Sequence, residues 1–145
     1  MPRKLRTYDA ETGERLAVVD LRQLRSKPNR QSDFYMAYRA ESDDITTDER
    51  LSNFETRLMW FMLNRMEFGN VLHMKQVRMA KALKVPPSQV SRALKKLEAV
   101  GLVACADQGT YVLSAEPGWR GPEAEREQAI ELGLEGRLRL IRGEA

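Results

Sequence analysis

The strongest constraint on the fold of this chain is the break Val85-Pro86-Pro87, which separates two stretches of helical periodicity. Proline has no backbone N–H and disfavours helical geometry at the residue before it, so one continuous helix cannot pass through this point. Pro87 suits the first position of a new helix, where a missing donor costs nothing. Pro86 stands where serine or threonine usually caps such a helix. We therefore predict two helices, over 74–84 and 87–99, joined by a short turn.

Both predicted helices have one apolar face, and the second is followed by a change of period. Gly101 occupies the position at which a left-handed residue commonly ends a helix. After it the pattern becomes strand, turn and strand, with strands over 102–105 and 110–113. The apolar residues at helical spacing, which we expect to face the core, are Val77, Ala80, Leu83, Val90, Ala93, Leu94 and Leu97.

Helix, short turn, helix, glycine and β-hairpin is the order of a winged helix-turn-helix, in which the second helix enters the major groove of DNA. The charge of the segment agrees with this interpretation. The whole chain has 24 Lys+Arg and 21 Asp+Glu, a net charge of only +3, yet residues 71–97 contain seven cations and no Asp or Glu. A purely solvated helix face is the plainer alternative. We predict a sequence-specific double-stranded DNA-binding protein that uses recognition helix 87–99 and wing 102–113.

The polar residues of this segment divide into two predicted groups. Glutamine and arginine can form paired hydrogen bonds with adenine and guanine, so the first group is expected near base edges. The second is expected near phosphates, which position a protein on the duplex. For each residue the alternative is an exposed side chain with no partner. The first group is Ser88, Gln89, Ser91 and Arg92, and the second is Lys75, Arg78, Lys95, Lys96, Gln108 and Thr110.

Upstream of the helix pair, the sequence predicts a β-hairpin, a linker and a third helix. β-prone runs within 5–19 flank a turn that contains Gly13. Residues 20–33 are basic and polar, which is typical of a linker, and residues 41–47 are predicted to be an acidic loop. The sequence Ser52-Asn53-Phe54-Glu55 has the form of a capping box and predicts a helix over 53–66.

Downstream, Pro122 is expected to start another helix over 123–135. Together these elements predict an α+β fold: a winged helix-turn-helix with an N-terminal β-hairpin and a C-terminal helix. The domains are predicted as an N-terminal β-hairpin and basic linker over 1–33, the winged helix-turn-helix over 34–121, and a C-terminal helical extension over 122–145.

An enzymatic function is not predicted. A DNA-nicking initiator of the rolling-circle type needs a histidine pair for a metal and a nucleophilic tyrosine, and this chain has one histidine, His73. We therefore interpret Tyr35 and Tyr38 as packing residues. The glycines lack the spacing of a phosphate-binding loop. No cofactor and no metal site are predicted, and the single cysteine, Cys105, is interpreted as a small buried apolar residue. The methionine-rich stretch around Trp60 and Phe61 is interpreted as core.

The C-terminal segment suggests a second class of interaction. Its apolar residues can pack on the winged helix of the same chain or against a second copy, and we favour a homodimer. A protein-interaction role without DNA is the competing hypothesis. The acidic segments 41–55 and 116–135 are expected to face away from DNA. No run approaches the roughly 18 apolar residues of a membrane span, so we expect no membrane partner and a cytoplasmic protein. The apolar residues are Ala129, Ile130, Leu132, Leu134, Leu138 and Ile141.

The chain resembles the RepL-like plasmid replication proteins. The matching parts are residues 9–14, the aromatic segment 34–38, Asn70, the helix-turn-helix, and Trp119-Arg120-Gly121. The resemblance implies a replication initiator that binds plasmid or phage origin DNA and then recruits host replication proteins. The wider winged-helix group, which includes MarR-like regulators, leaves open the alternative of a transcriptional repressor that binds operator DNA.

Overall fold

A computed structural model of the chain describes residues 4–8, 15–20 and 33–143, which fall in two compact units, Met1–Phe34 and Tyr35–Ala145. In the first unit, β1 (Lys4–Tyr8) and β2 (Arg15–Asp20) pair antiparallel, with Leu5 opposite Val19. The predicted N-terminal hairpin is therefore confirmed. Its predicted Gly13 turn and nearly all of the predicted linker lie outside the described residues.

The described part of the second unit contains five helices and five strands of two to five residues, which form two small antiparallel sheets. In chain order its elements are β3 (Met36–Ala37), α1 (Arg39–Thr47), α2 (Asn53–Leu63), β4 (Val71–His73), α3 (Gln76–Leu83), α4 (Pro87–Ala99), β5 (Val103–Asp107), β6 (Thr110–Leu113), β7 (Gly118–Trp119) and α5 (Glu123–Ile141). The predicted α+β class is confirmed. No helix of the described residues is long and apolar enough to cross a membrane.

The helices α3 and α4 and the hairpin β5–β6 follow one another in the order of a winged helix-turn-helix. β6 is the central strand of a three-stranded antiparallel sheet in the order β4–β6–β5. In its register Val71 lies opposite Val112, and Cys105 lies opposite Tyr111. The second sheet pairs β3 with β7. The sheet thus joins the wing to the segment that leads into α3.

The ends of the helices follow the local signals of the sequence. Ser52 and Glu55 form the predicted capping box of α2. α4 begins at Pro87, and Pro86 at its N-cap gives no side-chain cap. Gly101, just after α4, has a φ of +81°, the left-handed conformation that glycine adopts without strain. The turn between α3 and α4 is as short as predicted.

The core of the second unit lies among α2, α3, α4 and the three-stranded sheet. Most of the predicted core residues of α3 and α4 are buried in it, and so are the methionines of α2 and the buried face of the wing. Its fully buried large side chains are Leu58, Met59, Met62, Leu63, Met66, Met79, Val90, Leu97, Val103, Tyr111 and Leu113. Trp60, also predicted as core, packs only at its edge.

Two predictions about this unit are wrong. The predicted acidic loop 41–47 is most of α1, because its carboxylates face solvent while Ile45 alone is buried, at 2% exposure. Glu41 also favours the helix, since an acidic residue in the first turn interacts well with the helix dipole. Val77 is 66% exposed: it lies in the first turn of α3, beyond the reach of the core.

Two helix boundaries also differ from prediction. α2 ends at Leu63, and Asn64 follows it as the C-cap, so the predicted last turn to Met66 is absent from the helix. α5 continues to Ile141 instead of ending near 135, but Gly133 interrupts it with φ +72° and ψ 175°. The apolar residues after this break, up to Ile141, therefore form a second helical segment.

Candidate nucleic-acid interface

The recognition helix predicted from sequence, α4, has a buried and an open face. Val90, Ala93, Leu94 and Leu97 are buried against the core. The six α4 residues predicted to contact DNA all keep solvent access: Ser88, Arg92, Lys95 and Lys96 are exposed, and Gln89 and Ser91 are half-buried. The hydrophobic effect thus fixes which side of α4 is available to a ligand, because rotation would expose the apolar side.

The turn before α4 is fixed by backbone geometry. Lys84 ends α3 in the left-handed conformation, with φ +59°. The Val85 amide then donates to the Ala80 carbonyl at 3.0 Å. Together with the fixed φ of the two prolines, these contacts leave the turn little freedom. Arg78, another predicted DNA contact, lies exposed on the α3 side of this turn.

The tip of the wing is tied to the segment before α3. The Met74 amide donates to the Gly109 carbonyl at 2.8 Å. Gly109 has a φ of +91°, and a Cβ there would lie 3.5 Å from Cγ of Lys75. This close approach brings two predicted contact residues, Lys75 and Gln108, to one groove of about 410 Å³, whose lining residues are Lys75, Gln76, Val77, Pro87, Gln108, Gly109 and Tyr111.

Beneath this groove, Gln76 is linked to the wing. Its Nε2 donates to the hydroxyl of Tyr111 at 3.1 Å. Tyr111 is buried, and burial raises the pKa of its hydroxyl. Sequence reasoning missed this pair, because the two residues are 35 positions apart and only the β6 register brings them together. The contact fixes the first residue of α3 relative to the central strand of the sheet.

Thr110 lies at the start of β6, across from β4. Its Oγ1 is 3.2 Å from Nδ1 of His73, its partner in the strand register. Nε2 of His73 lies 4.0 Å from a carboxylate oxygen of Glu67. Thr110 follows the wing turn that contains Gln108, and its hydroxyl forms a hydrogen bond with the imidazole of His73. His73 is the one described histidine, and it sits on this strand edge.

The two lysines at the end of α4 have different surroundings. Asp48, from the segment between α1 and α2, receives a 2.7 Å hydrogen bond from Nη2 of Arg50. That bond, with a smaller contribution from the charge of Lys96, lowers the pKa of Asp48 to about 2. Within α4, Lys96 is the residue whose charge acts on Asp48, and its contribution is smaller than that of Arg50.

A buried polar centre supports the wing from behind. The side chain of Asn70 is fully buried and donates to the carbonyls of Ser114 and Gly118, at 3.0 and 2.7 Å. Its Oδ1 accepts from the Arg120 amide at 2.9 Å. The sequence singled out Asn70 only because it matches a family pattern. Its hydrogen-bond partners are known only from the fold. They hold the start of β4 against the segment after β6.

Arg137 of α5 makes a second buried connection to the same region. Its guanidinium donates to the carbonyls of Leu113 and Gly69, at 2.7 and 2.6 Å. Burial lowers the pKa of Arg137 to about 10, because the charged form loses hydration. These bonds attach α5 to the end of β6 and to the turn before β4.

Two possible catalytic features are a metal site and the thiol of Cys105. Within the described ranges, no group of three or more His, Cys, Asp or Glu side chains is arranged to hold a metal ion. Cys105 is half-buried, less than expected, and its thiol donates to the Asp107 carbonyl at 3.0 Å. Burial, with the neighbouring carboxylates of Glu98 and Asp107, raises the pKa of that thiol. A raised pKa makes a thiol less reactive at neutral pH.

A protein-family model matches most of the chain. Residues 5–132 match the family described as Firmicute plasmid replication protein (RepL). The matched stretch begins in β1, includes the whole helix-turn-helix and wing, and ends at the break in α5. No curated protein and no solved structure matches the chain.

Proposed function

The chain belongs to the RepL family of Firmicute plasmid replication proteins, and from this premise we propose that it is a replication initiator. It binds plasmid or phage origin DNA as a duplex, in a sequence-specific manner, and does so through α4 and the wing. In this role the chain binds DNA and performs no catalysis. The protein acts in the cytoplasm, where the DNA is replicated.

The observation that carries the proposal is the open face of α4. This face presents hydroxyl, amide and cationic groups, while the other face is buried in the core. A helix of this width fits the major groove, where arginine and glutamine distinguish base pairs. We assign base contacts to Ser88, Gln89, Ser91 and Arg92. The absence of Asp and Glu from residues 71–97 favours an approach to phosphates along the same surface.

The wing supplies the second part of the proposed interface. Lys75 and Gln108 line one groove beside the first turn of α4. Together with Arg78, Lys95, Lys96 and Thr110, we assign them to phosphate or sugar contacts.

The partners that we propose are duplex DNA, replication proteins of the host and a second copy of the chain. The host proteins follow from the initiator role, because an origin-binding protein of this size needs other proteins to copy DNA. The alternative function is a winged-helix transcriptional regulator that binds operator DNA. The same α4 face serves both functions, so the location of the bound site must distinguish them.

The first experiment measures the proposed base contact. The full chain is used to select bound sequences from a random duplex pool, and affinity for the selected site is then measured by fluorescence anisotropy. Arg92→Ala should weaken binding by about 1–3 kcal/mol and relax the preference at one position. Arg57→Ala removes an equal charge from the exposed surface of α2 and is the matched control. Equal loss in the two variants would contradict the recognition-helix assignment.

The second experiment distinguishes initiator from regulator. The selected site is searched for in the replicon that encodes the protein, and a plasmid carrying that segment is tested for replication with and without Arg92→Ala. A site in the origin whose loss of binding abolishes replication supports an initiator. A site in a promoter, with replication intact, supports the regulator. A chain that binds all duplexes equally supports neither.

A further inference from the structure

The last helix keeps part of its apolar surface uncovered. After the break at Gly133, Leu134 and Leu138 pack against the wing strands near Ala106 and Val112. Leu132 and Leu140 point elsewhere and remain 49% and 62% exposed. The sequence analysis placed the apolar residues of this segment in one group, and the structure divides them between an inner and an outer face.

The outer residues form a continuous strip over Leu132, Gly136 and Leu140. A Cβ on Gly136 would lie 3.2 Å from Cβ of Leu132, so the Leu132 side chain rests over this glycine. Leu140 lies one helical turn beyond Gly136. The Leu132 side chain covers the position at which Gly136 lacks one, and Leu140 extends the apolar surface toward the end of the helix.

A groove adjoins this strip on the side of the wing. It has a volume of about 640 Å³ and runs between α5 and β5, with Leu132, Leu138, Val103 and Cys105 among its walls. Apolar residues of an approaching helix would therefore meet both the strip and the apolar part of this groove, whose walls also include Glu98 and Glu135. A single exposed leucine needs no explanation, but a strip beside a groove is typical of an interaction surface.

The charges of α5 identify the occupant. Glu131 and Glu135 lie near the start of the strip and Arg139 lies near its end, all of them exposed. None of the three forms an ion pair within the described part of the chain. Arg142 is held toward the wing, because its guanidinium donates to the Ala106 carbonyl at 3.2 and 3.4 Å. A parallel second helix would place like charges together, whereas an antiparallel copy places the acidic end against the basic end. The surface is therefore complementary to itself.

We propose that a second copy of this chain packs its α5 antiparallel on this strip. The twofold axis passes near Gly136, so that Leu132 of each copy contacts Leu140 of the other. Self-complementary contacts of this kind define a closed dimer. The dimer itself does not depend on the proposed function. Its consequence for DNA rests on the proposed function: two α4 helices related by a twofold axis would bind an inverted repeat.

Disulfide cross-linking tests the direction of the two helices. In a Cys105→Ser background, Leu132→Cys and Leu140→Cys chains are prepared separately and then mixed under mild oxidation. The antiparallel arrangement predicts a cross-linked dimer in the mixture and little in either variant alone. Glu127→Cys mixed with Leu140→Cys is the control for random collision. Cross-linking within either single variant, or equally in the control, would overturn the proposal.

Light scattering without DNA tests the association itself. The unmodified chain should be a dimer at about 100 µM, and Leu140→Asp should raise the dissociation constant about tenfold or more, since a charge is placed in the apolar contact. Val77→Asp alters an equally exposed apolar residue on α3 and should leave the dimer intact. Circular dichroism checks that both variants fold. A monomeric unmodified chain at that concentration would refute the dimer.

Charge reversal gives a further check of the pairing. Glu135→Arg and Arg139→Glu should each weaken the dimer, and the double variant should restore it because opposite charges face each other again. Restoration fails if the copies do not pair antiparallel. All of these measurements omit DNA, so a dimer that binds no DNA would contradict the proposed function and leave this inference standing.

Discussion

Nδ2 of Asn70 donates a 2.7 Å hydrogen bond to the carbonyl oxygen of Gly118, across 48 residues of sequence. Gly118 lies in β7, which pairs with β3 at the start of the second unit. Asn70 itself has a φ of +58°, a conformation that asparagine adopts more readily than most residues. The Asn70 side chain thus links the beginning of the segment that contains the helix-turn-helix and the wing to the end of that segment.

Replacing Asn70 tests this closure. Asn70→Ala should reduce the free energy of unfolding by about 2–4 kcal/mol, because it removes two donated hydrogen bonds and leaves the Arg120 amide without its side-chain acceptor. Asn70→Gly keeps the left-handed backbone accessible but also removes the side chain. A similar loss in both variants, measured by urea unfolding, assigns the effect to the hydrogen bonds. A small loss for glycine alone would assign it to the backbone.

Tyr111→Phe tests the link between the wing and α3. The change removes the acceptor of the Gln76 side chain but leaves the buried ring in place. Stability should fall by about 1 kcal/mol, as expected for one hydrogen bond. Affinity for the selected duplex should fall as well, since the first turn of α3 and the wing tip lose a fixed relation. Gln76→Leu provides the matched change from the other partner. Unchanged DNA affinity in both would show that this link does not position the interface.

The lowered pKa of Asp48 reports its hydrogen bonds with Arg50, with a smaller effect of the charge of Lys96 on α4. Its value of about 2, against the ordinary 3.8, means that the ionised carboxylate stabilises the fold above about pH 4 and that this contribution is lost as the pH falls toward 2. Arg50→Gln should raise the pKa most, and Lys96→Gln should raise it less. NMR titration of the carboxyl carbon measures both shifts. No change on Lys96→Gln would mean that the two charges do not interact.

Gly101→Ala tests the end of the recognition helix. A Cβ at this position meets nothing within 4 Å, but the φ of +81° is unfavourable for alanine. We expect a loss of about 1–2 kcal/mol from backbone strain alone. Gly101→Asn should lose less, because asparagine tolerates the left-handed region. Thermal unfolding of the two variants measures the difference, and a larger loss for asparagine would exclude backbone strain as the cause.

Much of the candidate interface was predictable because its signals are local. The two prolines after Val85 and the glycine at 101 delimit α4, and the apolar period along α4 determines which of its faces is buried. Within one helix, three or four residues of spacing decide which side chains share a face. The assignments of these side chains to bases or phosphates stay predictions, because they depend on how duplex DNA approaches the helix.

Other features depended on contacts between distant residues. The sequence of the acidic segment did not reveal α1, because a helix with one buried residue, Ile45, has no clear apolar period. Nor did it reveal that Asp48 lies near Lys96. The exposure of Val77 followed from where α3 begins and what packs on its first turn.

The sequence by itself determined the order of α3, α4 and the wing strands, the ends of α4 and the concentration of cations on residues 71–97, because these depend on backbone preferences and spacing within short segments. Tertiary structure alone decided how Asn70 and Gln76 fix the wing and which leucines of α5 stay uncovered. Those outcomes depend on burial and on partners far away in the sequence, 35 residues for Gln76 with Tyr111 and 48 for Asn70 with Gly118, and the free energy of such contacts exists only once the chain has folded.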